Sequence, residues 1–189
     1  MSTDATEGVA IPAMLTFTAE NWNEPQTVTV TGVDDADPVA DGGVSYYVTF
    51  GPAVSNDAAF SGANGSVLVT NEDNEEATLV VSKKSFILSS DKNTGTFDVS
   101  LKSKPLAEAV VTRTLAHPAA GTLSETALTL TEANHWTRRV VFTGAFGAQE
   151  LATTIDLEVT SNTPVYVGVR NSIRLCRGLM FAFSALKVL

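Results

Sequence analysis

The chain has 189 residues, 44% of them apolar and 17% charged, a globular mix sized for one large or two small domains. A single cysteine, Cys176, excludes an intramolecular disulfide, so packing or bound ions must hold the fold. The net charge of −9 is uneven: residues 1–76 hold thirteen acids and no Lys or Arg, residues 77–189 hold the other eight acids and all twelve bases, and a lobe that acidic argues against nucleic acid as a partner.

In chain order, Met1 is followed by Ser-Thr-Asp-Ala-Thr-Glu, without the charged and apolar regions of a secretory signal. Leu15–Thr18 reads as a strand, and Thr18-Ala-Glu-Asn21 as one capped turn. Thr27–Val33 is a second strand and Asp34–Gly43 an acidic loop. In 44–50, Val44, Tyr46, Val48 and Phe50 alternate with polar or exposed positions, the period of a half-buried strand. A loop rich in Gly, Asn and Asp follows, then a strand at Ser66–Thr70 and the acidic linker Asn71–Glu76. Beyond it the same alternation appears at Phe97, Val99 and Leu101, and at Ile155, Leu157 and Val159.

The chain also repeats itself. Leu15-Thr-Phe-Thr-Ala-Glu-Asn-Trp22 recurs as Leu128-Thr-Leu-Thr-Glu-Ala-Asn-His-Trp136. Thr27–Gly32 matches Arg139–Gly144, and Ser55–Gly62 matches Ser161–Gly168. Ser66–Val69 then matches Ser172–Leu175 in the same register. Three blocks in one order indicate a duplication. Short strands, Gly/Asn/Asp/Pro turns and roughly 100 residues per repeat point to a β-sandwich. The expected fold is therefore all-β, with two tandem immunoglobulin-like antiparallel β-sandwich repeats. Residues 1–76 form a partial repeat lacking its first strands, 77–177 a second, divergent repeat, and 178–189 an apolar tail. That tail, from Leu179 to Leu189, is too short to span a membrane as a helix.

The run Leu15-Thr-Phe-Thr-Ala-Glu-Asn-Trp-Asn-Glu-Pro-Gln-Thr-Val-Thr-Val-Thr-Gly-Val-Asp-Asp35 resembles repeats of large bacterial surface adhesins and exoproteins, relatives of the Calx-beta domain. Ser55-Asn56-Asp57 with Phe60 and Gly62, and the closing 69–74, fit the same pattern. The resemblance implies an immunoglobulin-like sandwich, often calcium-binding, in an extracellular or cell-surface protein. It implies that Asp34 and Asp35 open a calcium loop. In the second repeat Phe146-Gly147 stand where that pair would be.

Strand parity places the acids without a template. Alternate connections of an antiparallel sandwich lie at the same end. The loop 34–43, the linker 71–76 and the segment holding Asp4 and Glu7 then share one end, the end facing the second repeat. Calcium takes six to eight oxygen ligands from flexible loops. Asp34, Asp35, Asp37, Asp41 and Asp73 supply that chemistry. A solvated acidic face that keeps the protein soluble answers to the same pattern. The spacing is not that of an EF-hand loop.

Other residues read as structural. Trp22 and Trp136 are expected to plug equivalent ends of the two sandwiches. His117 and His135 fall in different connections at opposite ends of the second repeat, so they form no catalytic or metal pair. Cys176 is a small strand-end residue, and Gly62–Gly65 marks a turn. No nucleophile elbow, zinc helix or phosphate loop occurs, and no enzyme is expected. The expected role is a calcium-binding spacer or adhesion module, with carbohydrate or protein binding for a secreted enzyme as the alternative. Expected partners are neighbouring repeats of the same parent chain and a cell-surface protein or glycan. Self-association is expected through the open edge of the first repeat, filled by the tail of another molecule.

Overall fold

A computed structural model describes residues 1–35, 38–89, 91–145, 152–161 and 163–177. The chain divides into two compact units, Met1–Glu75 and Glu76–Leu189. The first contains β1 (Gly8–Ile11), β2 (Thr29–Gly32), β3 (Val39–Ala40), β4 (Val44–Phe50) and β5 (Gly65–Asn71). The second contains β6 (Leu79–Val81), β7 (Ser85–Leu88), β8 (Thr94–Leu101), β9 (Lys104–Pro105), β10 (Ala109–Leu115), β11 (Gly121–Leu123), β12 (Ala127–Leu130), β13 (Thr137–Gly144), β14 (Thr153–Ser161) and β15 (Arg170–Arg177). The only helical pieces among the described residues are single 3-10 turns.

The second unit is an immunoglobulin-like β-sandwich. One sheet has the order β12-β10-β14-β15-β7 and the other β11-β13-β8-β6. Period-2 alternation explains why these segments pair face to face. Ala109 and Val111 on β10, Ile155, Leu157 and Val159 on β14, and Ile173 on β15 are all buried to 1% exposure or less. They meet Phe97 and Val99 of β8 and Val140 and Phe142 of β13, which are equally buried. Placing β-branched and aromatic residues on one face of each pleated strand closes both sheets over one apolar core. Tyr166 seals it: fully buried, its hydroxyl donates to the Ser103 carbonyl and accepts from the Ser103 N–H at 3.3 Å.

Pairing departs from the expected pattern at one place. β7 runs parallel to β15, with Leu175 opposite Phe86 and Arg177 opposite Leu88. The first strand of the unit crosses between sheets at residues 82–84. Its β6 half pairs antiparallel with β8, while its β7 half continues into the other sheet beside the last strand.

In the first unit β1 pairs antiparallel with β2, setting Gly8 opposite Gly32, and β4 pairs antiparallel with β5, setting Tyr47 opposite Leu68. Leu15–Thr18, expected as a strand, is irregular, and Gly8–Ile11 takes its place beside β2. Among the described residues the buried apolar side chains here are Ala40, Tyr46 and Val48. Gly8 is required by the Tyr46 ring, because a Cβ on residue 8 would lie 1.8 Å from the Tyr46 hydroxyl.

The repeated blocks make the same local bonds in both units. The Asn21 side chain accepts from Thr18 N–H at 2.6 Å, as Asn134 does from Thr131 at 2.9 Å. Gly62 and Gly168 adopt positive φ angles of 81° and 76°. Their N–H groups donate to Ala53 and Val159, and Ala53 and Val159 donate in turn to Ala63 and Val169. In both units the glycine reverses the chain where a side chain would strain the left-handed backbone.

Candidate functional site

Seven acids of the first unit line a pocket of about 300 Å³. Its lining includes Glu7, Asp34, Asp35, Asp41, Glu72, Asp73 and Glu75, with Asn71 and Asn74 among them. Three strand ends build it. Glu7 immediately precedes β1, Val33 and Asp34 follow β2, and Asn71 closes β5. Antiparallel pairing of β1 and β2 brings the start of one beside the end of the other. The Val33 N–H donates to the Glu7 carbonyl at 3.1 Å. The Asn71 amide then ties both, donating to the Val33 carbonyl at 2.7 Å and to the Glu7 carboxylate at 3.2 Å.

Asp73 is the best-held carboxylate. One oxygen accepts from the Asp41 and Gly42 N–H groups at 3.0 and 2.7 Å, and the other from the Glu75 N–H at 2.7 Å. Burial pushes its pKa up, but the N–H groups of Gly42, Glu75 and Asp41 outweigh that and hold it below the ordinary carboxylate range. Asp73 thus pins the end of the acidic loop to the segment after β5. Asp41 and Glu75 go the other way. Burial first, then the charges of Asp35, Glu7 and Asp73, raises the pKa of Asp41. Burial, then the neighbouring Asp73 and Asp34, raises that of Glu75. Both carboxyls resist ionisation where no base stands nearby, the condition a cation relieves.

Of the five acids expected as metal ligands, Asp34, Asp35, Asp41 and Asp73 line this pocket, and Asp37 lies outside the described residues. Glu7, Glu72 and Glu75 join them, and Asn71 fastens the floor. Strand parity placed all three glutamates at this end, but reading the loop aspartates as the site left them out. Asp4 is not in the lining: its carboxylate accepts from the Thr6 N–H at 3.0 Å in its own turn. Glu76 belongs to the second unit, where Lys102 pairs with it at 2.6 Å. Among the described residues no group of three or more acids is already drawn together tightly enough to hold a metal ion. The donor set still fits calcium in kind, all hard oxygens on loops able to close around an ion. Asp34 and Asp35 are exposed, whereas Asp73 is committed to backbone N–H groups.

The remaining residues fall as follows. His117 precedes the 3-10 turn before β11, and His135 ends the turn before β13. Since Gly121 pairs with Gly144, the two histidines lie at opposite ends of β13. Trp22 does not plug the first unit; it is 72% exposed, because the irregular segment 12–28 folds no strand beneath it. Trp136 is half-buried. Phe146-Gly147 and the tail 178–189 lie outside the described residues. No helix among the described residues is long and apolar enough to cross a membrane.

No protein-family model and no curated protein matches the chain. Among solved structures it is similar to the periplasmic chaperone SfaE at 7% identity and a TM-score of 0.45, over 54% of this chain and 58% of that one. It is similar to the E. coli chaperone DraB at 13% identity and a TM-score of 0.42, over 53% and 54%. A PapD-like domain of human CEP192 is similar at 14% identity and a TM-score of 0.43, over 54% and 84%. The chain thus spans little more than half the length of the two chaperones.

Proposed function

We propose that this chain is a structural or adhesive immunoglobulin-like repeat module of a bacterial extracellular or cell-surface protein, and that the acidic pocket of its first unit binds calcium. The observation that carries this reading is the convergence of Glu7, Asp34, Asp35, Asp41 and Glu75 on one pocket without a Lys or Arg in residues 1–76. Like charges at that density cost on the order of 1 kcal/mol per close pair in water, and a divalent cation reverses the sign of the interaction. The Calx-beta resemblance of residues 15–35 supports the same ion and the same Asp pair. Asp34 and Asp35 are the exposed ligands, Asp41 and Glu75 supply further carboxylate oxygens, and Asp73 positions the loop.

Calorimetric titration of the chelator-treated chain tests this. Calcium should bind with a Kd of about 10⁻⁴ to 10⁻³ M, the range of extracellular modules. The double substitution Asp34→Asn and Asp35→Asn should abolish the heat. An unchanged isotherm in the double variant overturns the assignment, leaving a solvated acidic face. The exposed Trp22 favours a second reading, in which an accessory module stacks a sugar ring on its indole. Quenching of Trp22 fluorescence by a glycan, independent of calcium, is its signature.

A further inference from the structure

Two arginines of the second unit meet between its sheets. Arg113 stands on β10 in the alternation that buries Ala109 and Val111, so its guanidinium enters the interior at 5% exposure. Arg138 stands on β13 in the alternation that buries Val140 and Phe142, and enters from the opposite sheet. Residues 124–126 carry the chain from β11 in one sheet to β12 in the other and tie the two sides together. The Ser124 N–H donates to the Val141 carbonyl at 2.9 Å, and the Thr126 carbonyl accepts from the Arg113 N–H at 3.1 Å. Between them in sequence is Glu125, whose two carboxylate oxygens accept from one Arg138 nitrogen at 3.1 and 3.3 Å.

The charges here do not balance. Two guanidinium groups share one carboxylate, and Arg138 already holds both of its oxygens. Among the described residues, Nε, Nη1 and Nη2 of Arg113 are all closed to solvent and none has a hydrogen-bond partner. Burial is the largest influence on Arg113 and works against its charge; Glu125 favours the charge and Arg138 opposes it. A lysine in this position could give up its proton, but a guanidinium stays ionised. A neutral acceptor would meet the N–H groups and leave the surplus charge in place. Only an anion answers both.

We propose that Arg113 and Arg138 form an anion site at the β11–β12 edge of the second unit, which takes a small monovalent anion such as chloride or a short carboxylate. The enclosure of the Arg113 nitrogens sets the size, and the surplus of one positive charge sets the valence. Entry is from the edge. β11 and β12 are each the outermost strand of their sheet, and Ser124, Glu125 and Thr126 are exposed. The Glu125 side chain has only to turn aside. Since it competes with the ligand for the same arginines, the affinity is low.

Hydrogen exchange at the β10 and β13 amides of the intact chain reads the second unit by itself. Chloride is titrated against gluconate, an anion too large to be enclosed, at constant ionic strength. Chloride at roughly 0.2 M should slow exchange about fivefold, the protection given by a site with a Kd of about 50 mM. Formate in place of chloride shows whether the site also takes a carboxylate; protection by either supports it. Arg113→Leu should exchange more slowly than the unaltered chain in gluconate and gain nothing from chloride. Glu125→Gln removes the competing carboxylate, so chloride should act at a concentration roughly threefold lower. Should the leucine variant misfold, the glutamine variant decides the matter alone. Equal exchange in chloride, formate and gluconate overturns the proposal. Protection that survives in Arg113→Leu overturns it too, since it then comes from the salt at large. So does a chloride response in Glu125→Gln at an unchanged or higher concentration.

Discussion

Asp73 shows how one side chain settles a loop that sequence alone leaves undetermined. Its oxygens receive three backbone N–H groups, so replacing it by Asn puts an amide donor against those donors. The expected cost is about 1–2 kcal/mol in the first unit, readable in its thermal transition. Its charge also sets a pH dependence. Asp41 and Glu75 have folded pKa values above their unfolded ones, so their protonation favours the folded state. Asp73 has a folded value below its unfolded one, so its contribution is present above about pH 4 and is lost as pH falls through the folded value. Melts of the first unit should therefore rise on mild acidification from neutral pH, peak just above the ordinary carboxylate range, and fall below it. In Asp73→Asn the drop at the acid end should shrink; an unaltered drop would show that another carboxylate carries it. Arg113 is the opposite case. It points into the second unit's core at 5% exposure, and none of its three guanidinium nitrogens has a hydrogen-bond partner. Burial lowers its pKa, and the nearby Glu125 is already paired with Arg138 at 3.1 Å. Arg113→Leu should raise the stability of the second unit by about 1–3 kcal/mol in urea unfolding. A loss of stability would mean that the guanidinium finds a partner in solution.

At the scale of elements, legibility followed periodicity. The strands at 44–50, 94–101 and 153–161 were readable because apolar residues alternate over five to seven positions in each. The capped turns were readable because Thr and Asn stand three apart in both copies. β1 was missed because Gly-Val-Ala-Ile offers only four residues and a glycine start. Leu15–Thr18 attracted the assignment because it alternates and because its counterpart at 128–130 lies in a strand. In the second unit that strand pairs with Ala109–Thr112 of β10, and in the first no described segment supplies those residues. The parallel β7–β15 pair was hidden for a different reason: a strand that changes sheet leaves no mark in hydrophobic period. The site was partly legible by parity, which needs only strand directions. Its bonds to Asp73 and Asn71 depend on loop geometry that spacing does not encode.

At the scale of the whole molecule, the two units differ sharply in how much core they own. Phe97, Phe142, Leu128, Leu130, Ile155, Leu157, Ile173 and Tyr166 are all closed to solvent in the second, whereas among the described residues of the first only Ala40, Tyr46 and Val48 are closed to a similar degree. Since folding stability scales with the apolar surface removed from water, the two should unfold in separate steps, the first unit at the lower temperature. Calcium should act on the lower step alone, because the pocket is lined entirely by residues of the first unit. With a Kd of about 1 mM, calcium at about 10 mM adds roughly 1.4 kcal/mol to the unit that binds it. For a domain of this size that is a rise of several degrees in the lower transition. Scanning calorimetry with calcium and with chelator makes the comparison. One cooperative transition would show that the units unfold together. A calcium shift confined to the upper step would move the ion out of the first unit altogether.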